Sequence, residues 1–482
     1  MVALLSVISF LGIPASAESN YAWVPEKLPN DANVVGWQIQ EDMLPRFFRS
    51  KQWNNDEFSL VLPRCTNDES TWCIESVSIY PSGSSKLNAT FIREISGGKI
   101  EGDASRNLPA GGSVSLWQSN DITANLSGKL FAASAQIVLT VKPDGRLILG
   151  DLEARIYPYS EYQGISPSTG KKYLAVDGNL EYGRGPYPEC AWTEDNICGR
   201  IENFPQNVRA SLTLRIPPEP VQTIAARVVN PQVKIKQAKN KQISFTLDAL
   251  PIDLPKFYAF EKPDNLTRAM KSTFWAGIDK ESGISTEFSG TMKSFSILNA
   301  WKDKVQDKSA ALVSTWQFRT IPWDAEGRCQ EGVKFYGVVS TNALVTDGSG
   351  FQFADRGFEY RVAGLHLNPD GSVFRGSYEL SMRREFAECM FGLSSAPISA
   401  KIVIVENGQE QRIETTTYKE SQNELGKFLD FSAQGFTFSS PTLRITLSQP
   451  KSMKKTVICV KGGVTKKISG INPKCPAGYK KK

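Results

Sequence analysis

Two stretches decide the fold: Ile137-Val-Leu-Thr-Val-Lys-Pro-Asp-Gly-Arg-Leu-Ile-Leu-Gly150 and Ala363-Gly-Leu-His-Leu-Asn-Pro-Asp-Gly-Ser-Val-Phe-Arg-Gly376. In the first, Ile137, Leu139 and Val141 alternate with Val138, Thr140 and Lys142, the period of a β-strand with two unlike faces. Pro143-Asp144-Gly145 follows. Proline presets φ for a turn, aspartate bonds its own backbone, and glycine accepts positive φ, so the chain reverses into Arg146–Gly150. The second stretch repeats the order: Ala363, Leu365 and Leu367 alternate with Gly364, His366 and Asn368, then Pro369-Asp370-Gly371 turns into Ser372–Gly376. Each copy is followed by a Glu-Cys-x-aromatic step, Glu189–Trp192 and Glu388–Phe391. The shared order predicts two related β-domains.

Outward from these hairpins the same pattern continues. Ile402–Val405 runs into Glu406-Asn407-Gly408, a favoured two-residue turn, and Phe436, Phe438, Leu443, Ile445 and Leu447 read as late strands with one buried face. Helical spacing is scarce. Pro263-Asp264-Asn265 opens a short helix with Leu266, Met270 and Phe274 on one side, and Met292, Phe295 and Leu298 fit a second, although Phe295 and Ile297 also fit a strand. Pro217-Pro218-Glu219-Pro220 is the best linker. The expected fold is mainly β: two tandem β-sandwich-like domains, a short α-element between them, and a small stapled basic tail. The expected boundaries are a signal peptide at 1–17, a first β-domain at 18–216, a linker and mixed connecting segment at 217–300, a second β-domain at 301–450 and the tail at 451–482.

With 482 residues and 40% apolar side chains the composition is that of a folded globular protein. Val2–Ile13 is an apolar run ending in Pro14-Ala15-Ser16-Ala17 before Glu18, the form of a secretory leader and too short for a stable membrane anchor. Export oxidises thiols, so the eight cysteines read as bridges. Spacing favours Cys65–Cys73, Cys190–Cys198, Cys329–Cys389 and Cys459–Cys475. No C-x-x-C motif occurs and His366 is the single histidine, so neither a metal nor a cofactor is expected.

Charge divides the chain. The formal net charge is +6, yet residues 451–482 carry ten lysines and no acidic side chain; removing those ten from 56 basic residues leaves a body with 46 against 50 acidic, near −4. The tail lysines, Lys454, Lys455, Lys461, Lys466, Lys467, Lys480, Lys481 and Lys482 among them, are the expected anchor for an anionic cell-wall polymer or polysaccharide. Nucleic acid is not an expected partner, since the body lacks a basic excess. No transmembrane segment is expected in the mature chain.

Searches for chemistry return little. A Ser-His-Asp triad would have to use His366, which sits between leucines in an expected strand; Ser168–Lys171 and Ser452–Lys455 are chance-level Ser-x-x-Lys pairs. Asp144, Asp347 and Asp370 lie in glycine-containing turns without the alternating ligands of a calcium loop. Paired carboxylates leave no local signature, so a glycoside hydrolase stays open as the alternative. The segment between Gly150 and Cys190 holds Tyr157, Tyr159, Tyr162, Tyr173, Tyr182 and Tyr187, six of 14 tyrosines. Read as a long loop, it is the expected ligand-contacting surface.

Tyr360–Leu393 (YRVAGLHLNPDGSVFRGSYELSMRREFAECMFGL), Gly435–Leu447 (GFTFSSPTLRITL) and the ending from Val457 (VICVKGGVTKKISGINPKCPAGYKKK) resemble a family of secreted actinobacterial proteins. The resemblance covers the C-terminal half, and Thr71–Ser76 with Cys198-Gly199-Arg200 extends it weakly forward. It implies export and a shared architecture and carries no catalytic residues. The expected function is therefore a non-enzymatic, extracellular, cell-surface-associated protein for adhesion, wall interaction or glycan binding.

Overall fold

The computed structural model describes residues 34–40, 50–66, 72–95, 99–106, 108–120, 122, 130–167, 169–174, 187, 190–218, 222–274, 284–288, 292–321, 329, 335–346, 352–354, 357–392, 399–406, 409–411, 415–438, 442–448, 455–470 and 474–482. The expected leader 1–17, Tyr182, Lys454, Ser168, Asp347 and Glu189 lie outside them.

The chain is mainly β. The Pro143-Asp144-Gly145 hairpin forms as its residues dictate: Lys142 N–H donates to the Arg146 carbonyl at 2.9 Å, and Gly145 takes φ 76°. The second copy makes the same turn, with Asn368 N–H to the Ser372 carbonyl at 2.8 Å and Gly371 at φ 88°. Asp144 and Asp370 each accept the backbone N–H two residues on, at 3.0 and 2.9 Å. Beyond the turns the copies part. The first runs into the 17-residue strand Leu147–Gln163, paired with Leu130–Val141. The second makes only isolated bridges, Leu367 with Lys308 and with Val373, before the strand Gly376–Arg383 begins. Cys190 precedes the strand Trp192–Glu194, whereas Cys389 lies in the helix Arg384–Phe391.

One ladder joins the two halves. Leu147–Gln163 pairs with Leu312–Thr320, which pairs with Thr223–Gln237, which pairs in turn with Gly337–Thr341. The ladder continues through Gly376–Arg383 to Gly426–Phe436 and the edge strand Thr415–Asn423. The segment 217–300, expected as linker and connecting segment, thus carries two long strands, Thr223–Gln237 and Ile243–Pro255. The Asn230-Pro231 step reads as a break, but the strand passes through it as a bulge: pairing to Ile243–Pro255 shifts register between Val229 and Gln232, and Asn230 takes φ 51°. Along the strand the neighbours change: 223–227 pairs with Leu312–Thr320 and Gly337–Thr341, and 228–237 with Ile243–Pro255.

Alternation fixes what is buried. In Gly376–Arg383, Tyr378, Leu380 and Met382 point into a core shared with Leu429, Phe431 and Ala433. A second large core fills the first half, from Ile74, Val77 and Ile79 to Leu212, Leu214 and Phe245, and takes Trp316, Phe318 and Phe428 from further along the chain. Between them lies the expected α-element. A short helix Arg268–Lys271 is capped by Thr267, and Met292–Trp301 follows. Both pack with the strand Val35–Gln40, and the Trp37 and Trp301 indoles donate to Thr273 Oγ1 at 3.0 and 3.2 Å. The four disulfides join Cys65–Cys73, Cys190–Cys198, Cys329–Cys389 and Cys459–Cys475, with Cα separations of 4.9 to 5.9 Å. Such bridges fit an oxidising, extracytoplasmic setting. No helix among the described residues is long and apolar enough to cross a membrane.

Candidate functional site

The tail folds. Lys455–Lys461 and Val464–Gly470 form a hairpin, Lys480–Lys481 adds a third strand, and Cys459–Cys475 ties the return segment to its centre. Cys459 stands opposite Lys466 on one side and Lys481 on the other, so these two lysines share its face; Lys467 and Lys480 take the opposite face. Lys461, Lys466, Lys467, Lys480, Lys481 and Lys482 are exposed, and Lys466 Nζ sits 5.1 Å from the Tyr479 ring centre. The charge is carried on a platform closed by a disulfide.

The tyrosine segment behaves otherwise than expected. The middle of Leu147–Gln163, over 152–160, is covered on both faces: Leu152, Ala154 and Ile156 enter the first core, while Tyr157 and Tyr159 enter a smaller cluster with Trp192 and Ile201. Tyr173 and Tyr187 meet edge-on at 5.2 Å over the Cys190–Cys198 bridge and are 2% and 5% exposed. Tyr162 is half-buried, its ring 4.0 Å from the Arg200 guanidinium. Four of the six rings are therefore buried, against the expected ligand-contacting surface; Tyr157 and Tyr159 lie on one face of a strand that runs on to Gln163, and Tyr173 and Tyr187 pack beyond its end. His366 is half-buried in the short bridged segment, and its Nδ1 meets the Asp307 carboxylate while its N–H donates to the same carboxylate at 3.1 Å. It ties the 302–309 turn to the bridged segment around Leu367.

The site that emerges is a cleft between the halves, formed by a sheet face whose residues alternate with core residues. Ladder register places Glu379 opposite Ser432, Ser381 opposite Asp430, Thr417 opposite Ser432 and Lys419 opposite Asp430. Residues directly opposite share a face, so these six side chains form one polar floor. The facing wall is the bent part of Thr223–Gln237 with Arg209, and the space between them is about 720 Å³. A second cavity of about 460 Å³ lies beyond, lined by Asp253, Asn342 and Arg375, and Glu379 lines both.

The wall is held rigidly. Tyr80 O–H donates to Asp248 at 2.6 Å and Arg209 Nε donates to the same carboxylate at 2.8 Å. Burial, then the bond to Asp248, pushes the Tyr80 hydroxyl up to about 12. Arg209 also donates to the Asn230 carbonyl at 3.0 Å, and Asn230 N–H reaches across the cleft to Glu379 at 2.7 Å. Burial raises the Glu379 carboxyl above the usual range; the Asn230 hydrogen bond and the Lys419 and Arg209 charges oppose that shift without cancelling it. Asp430 accepts the Ser381 hydroxyl at 2.6 Å. The sequence reading missed this site because its residues sit on five strands drawn from both halves. The local signal was present: Ser377, Glu379 and Ser381 alternate with Tyr378, Leu380 and Met382. Comparisons with known protein families, with curated proteins and with solved structures find no match to the chain.

Proposed function

We propose that the protein acts outside the cytoplasm as a cell-surface-associated, wall- or glycan-binding protein whose lysine tail grips an anionic wall polymer. The observation that carries this reading is the tail: ten lysines and no acidic side chain in 451–482, with seven of those lysines, Lys474 among them, exposed on or beside a disulfide-closed three-strand platform. A folded cationic platform loses less conformational entropy on binding than a free lysine run, and its attraction works within the Debye length, about 8 Å at physiological ionic strength. The body is near −4 and offers no competing basic excess. The four bridges support an oxidising location for this work.

The test is sedimentation of the protein with purified actinobacterial cell walls across a salt series, with and without residues 452–482. Retention is expected at low salt, falling steeply as salt shortens the Debye length towards about 3 Å near 1 M, and absent without the tail. Retention that survives both tail removal and high salt would place wall recognition in the β-rich body. Absence of retention for either form would sink the surface-anchor reading.

A further inference from the structure

Two cavities share one acidic lining residue, Glu379. Glu379 lines the 720 Å³ cleft on one side and the 460 Å³ cavity on the other, and its bond to Asn230 N–H spans the seam between the halves. A groove with space on both sides of a single acid is the shape needed to hold a chain polymer across that acid. Its lining is of the kind that reads a polyhydroxylated chain: the amides of Asn230, Gln232, Gln422 and Asn423 together with the hydroxyls of Ser381 and Ser432.

The second carboxylate is set by register. Glu379 pairs with Ser432 and Ser381 with Asp430, so Glu379 and Asp430 stand on one diagonal of one sheet face. Backbone positions on such a diagonal are about 7–8 Å apart, which sets both carboxyl side chains on the same floor of the cleft, and two carboxyls flanking the scissile bond are what glycoside hydrolysis uses. Each carboxyl is already oriented, Glu379 by Asn230 N–H at 2.7 Å and Asp430 by the Ser381 hydroxyl at 2.6 Å. Asp430 also has Lys419 directly opposite it in the ladder.

We infer that the inter-half cleft is a glycoside-hydrolysing site for an extended polysaccharide, with Glu379 as general acid and Asp430 as general base. In the step, the Glu379 carboxyl gives its proton to the glycosidic oxygen as the bond from that oxygen to the anomeric carbon breaks. A water attacks the anomeric carbon from the opposite face and passes its proton to the Asp430 carboxylate. The products are two shorter chains, with Glu379 ionised and Asp430 protonated; one proton moved through solvent restores both. Burial raises the pKa of Glu379, so it keeps a protonated fraction at higher pH than an ordinary glutamate. Its charged surroundings are Arg209 and Lys234 on the wall, Lys419, Glu424 and Asp430 on the sheet side, and Asp253 and Arg375 in the neighbouring cavity.

The experiment measures reducing ends released from laminarin, xylan, mannan, amylose, arabinogalactan and isolated cell-wall polysaccharide by the full-length protein. Expected are release from at least one, a loss of at least 100-fold in Glu379→Gln and in Asp430→Asn at unchanged melting temperature, and a first-formed product of inverted anomeric configuration by proton NMR. The Gln amide oxygen can still accept the Asn230 N–H, which protects the fold. Lys419→Met, on an exposed edge strand, supplies a second readout: removing that positive charge moves the alkaline limb of the pH–rate profile to higher pH. No release from any of the six, release retained in either carboxyl variant, a retained configuration, or an unmoved alkaline limb would each overturn the assignment. The proposal does not rest on the tail: deleting residues 452–482 leaves hydrolysis of the soluble glycans unchanged even where wall retention is lost, so the two readings fail separately.

Discussion

Lys256 follows the strand Ile243–Pro255 and is 1% exposed, with its backbone bonded to Ala310 and Ala311. Burial lowers its amine from 10.5 to about 7. Between those values the unfolded chain holds a proton that the folded chain lacks, so stability falls as pH is lowered through that window and levels off below it. Replacing Lys256 with Met should therefore raise stability at pH 7, by up to about 5 kcal/mol at roughly 1.4 kcal/mol per unit, with the gain vanishing near pH 10.5. Denaturant titrations at one temperature across pH 6 to 11 check both size and slope. Gly199 offers a different test. A Cβ there would stand 2.2 Å from the Tyr159 hydroxyl and 2.6 Å from its ring, and Tyr159 is buried and cannot swing away. Gly199→Ala should cost about 1–3 kcal/mol through overpacking, read as a lowered denaturation midpoint.

At the scale of elements, a turn was easier to read than a strand's neighbours. Both Pro-Asp-Gly turns follow from local chemistry, since the proline ring, the aspartate side chain and the glycine φ act within four residues. Asn230-Pro231 carries equally strong turn chemistry but sits inside a strand, because the pairing on either side outweighs the local break. The tail is the element with the most to lose from one bond. Cys459 is buried at its centre, and the bridge to Cys475 closes a loop of about 15 residues, worth about 3 kcal/mol by loop entropy. In a Cys459→Ser, Cys475→Ser variant the tail should open to trypsin at its lysines while the body's melting transition stays where it was. Gel analysis of timed digests, with calorimetry alongside, separates the two effects.

The whole molecule is held by contacts that cross the expected boundaries. The core of the first half uses Ile224, Ala226, Phe245 and Leu247 from the supposed connecting segment, and Trp316, Phe318, Val338 and Phe428 from beyond residue 300. A fragment of residues 18–216 would leave Leu212, Leu214 and Ile216 without those partners. Such a fragment is expected to bind a hydrophobic dye and to show no cooperative melt, whereas the full chain should melt with the halves coupled. A sharp transition for the fragment alone would show that the crossing ladder contributes little.

The mainly β character, the two Pro-Asp-Gly turns, the four bridges and the concentration of charge in the last 32 residues were legible in the sequence, because each rests on neighbours in the chain or on composition. The fate of the tyrosines and the existence of the cleft were decided only by the tertiary structure. Tyr157 and Tyr159 look like loop aromatics until a second layer is seen to cover their face of the strand. Glu379, Asp430, Lys419 and Arg209 are distant in sequence and come together through strand register, which one alternating pattern cannot specify without its partner.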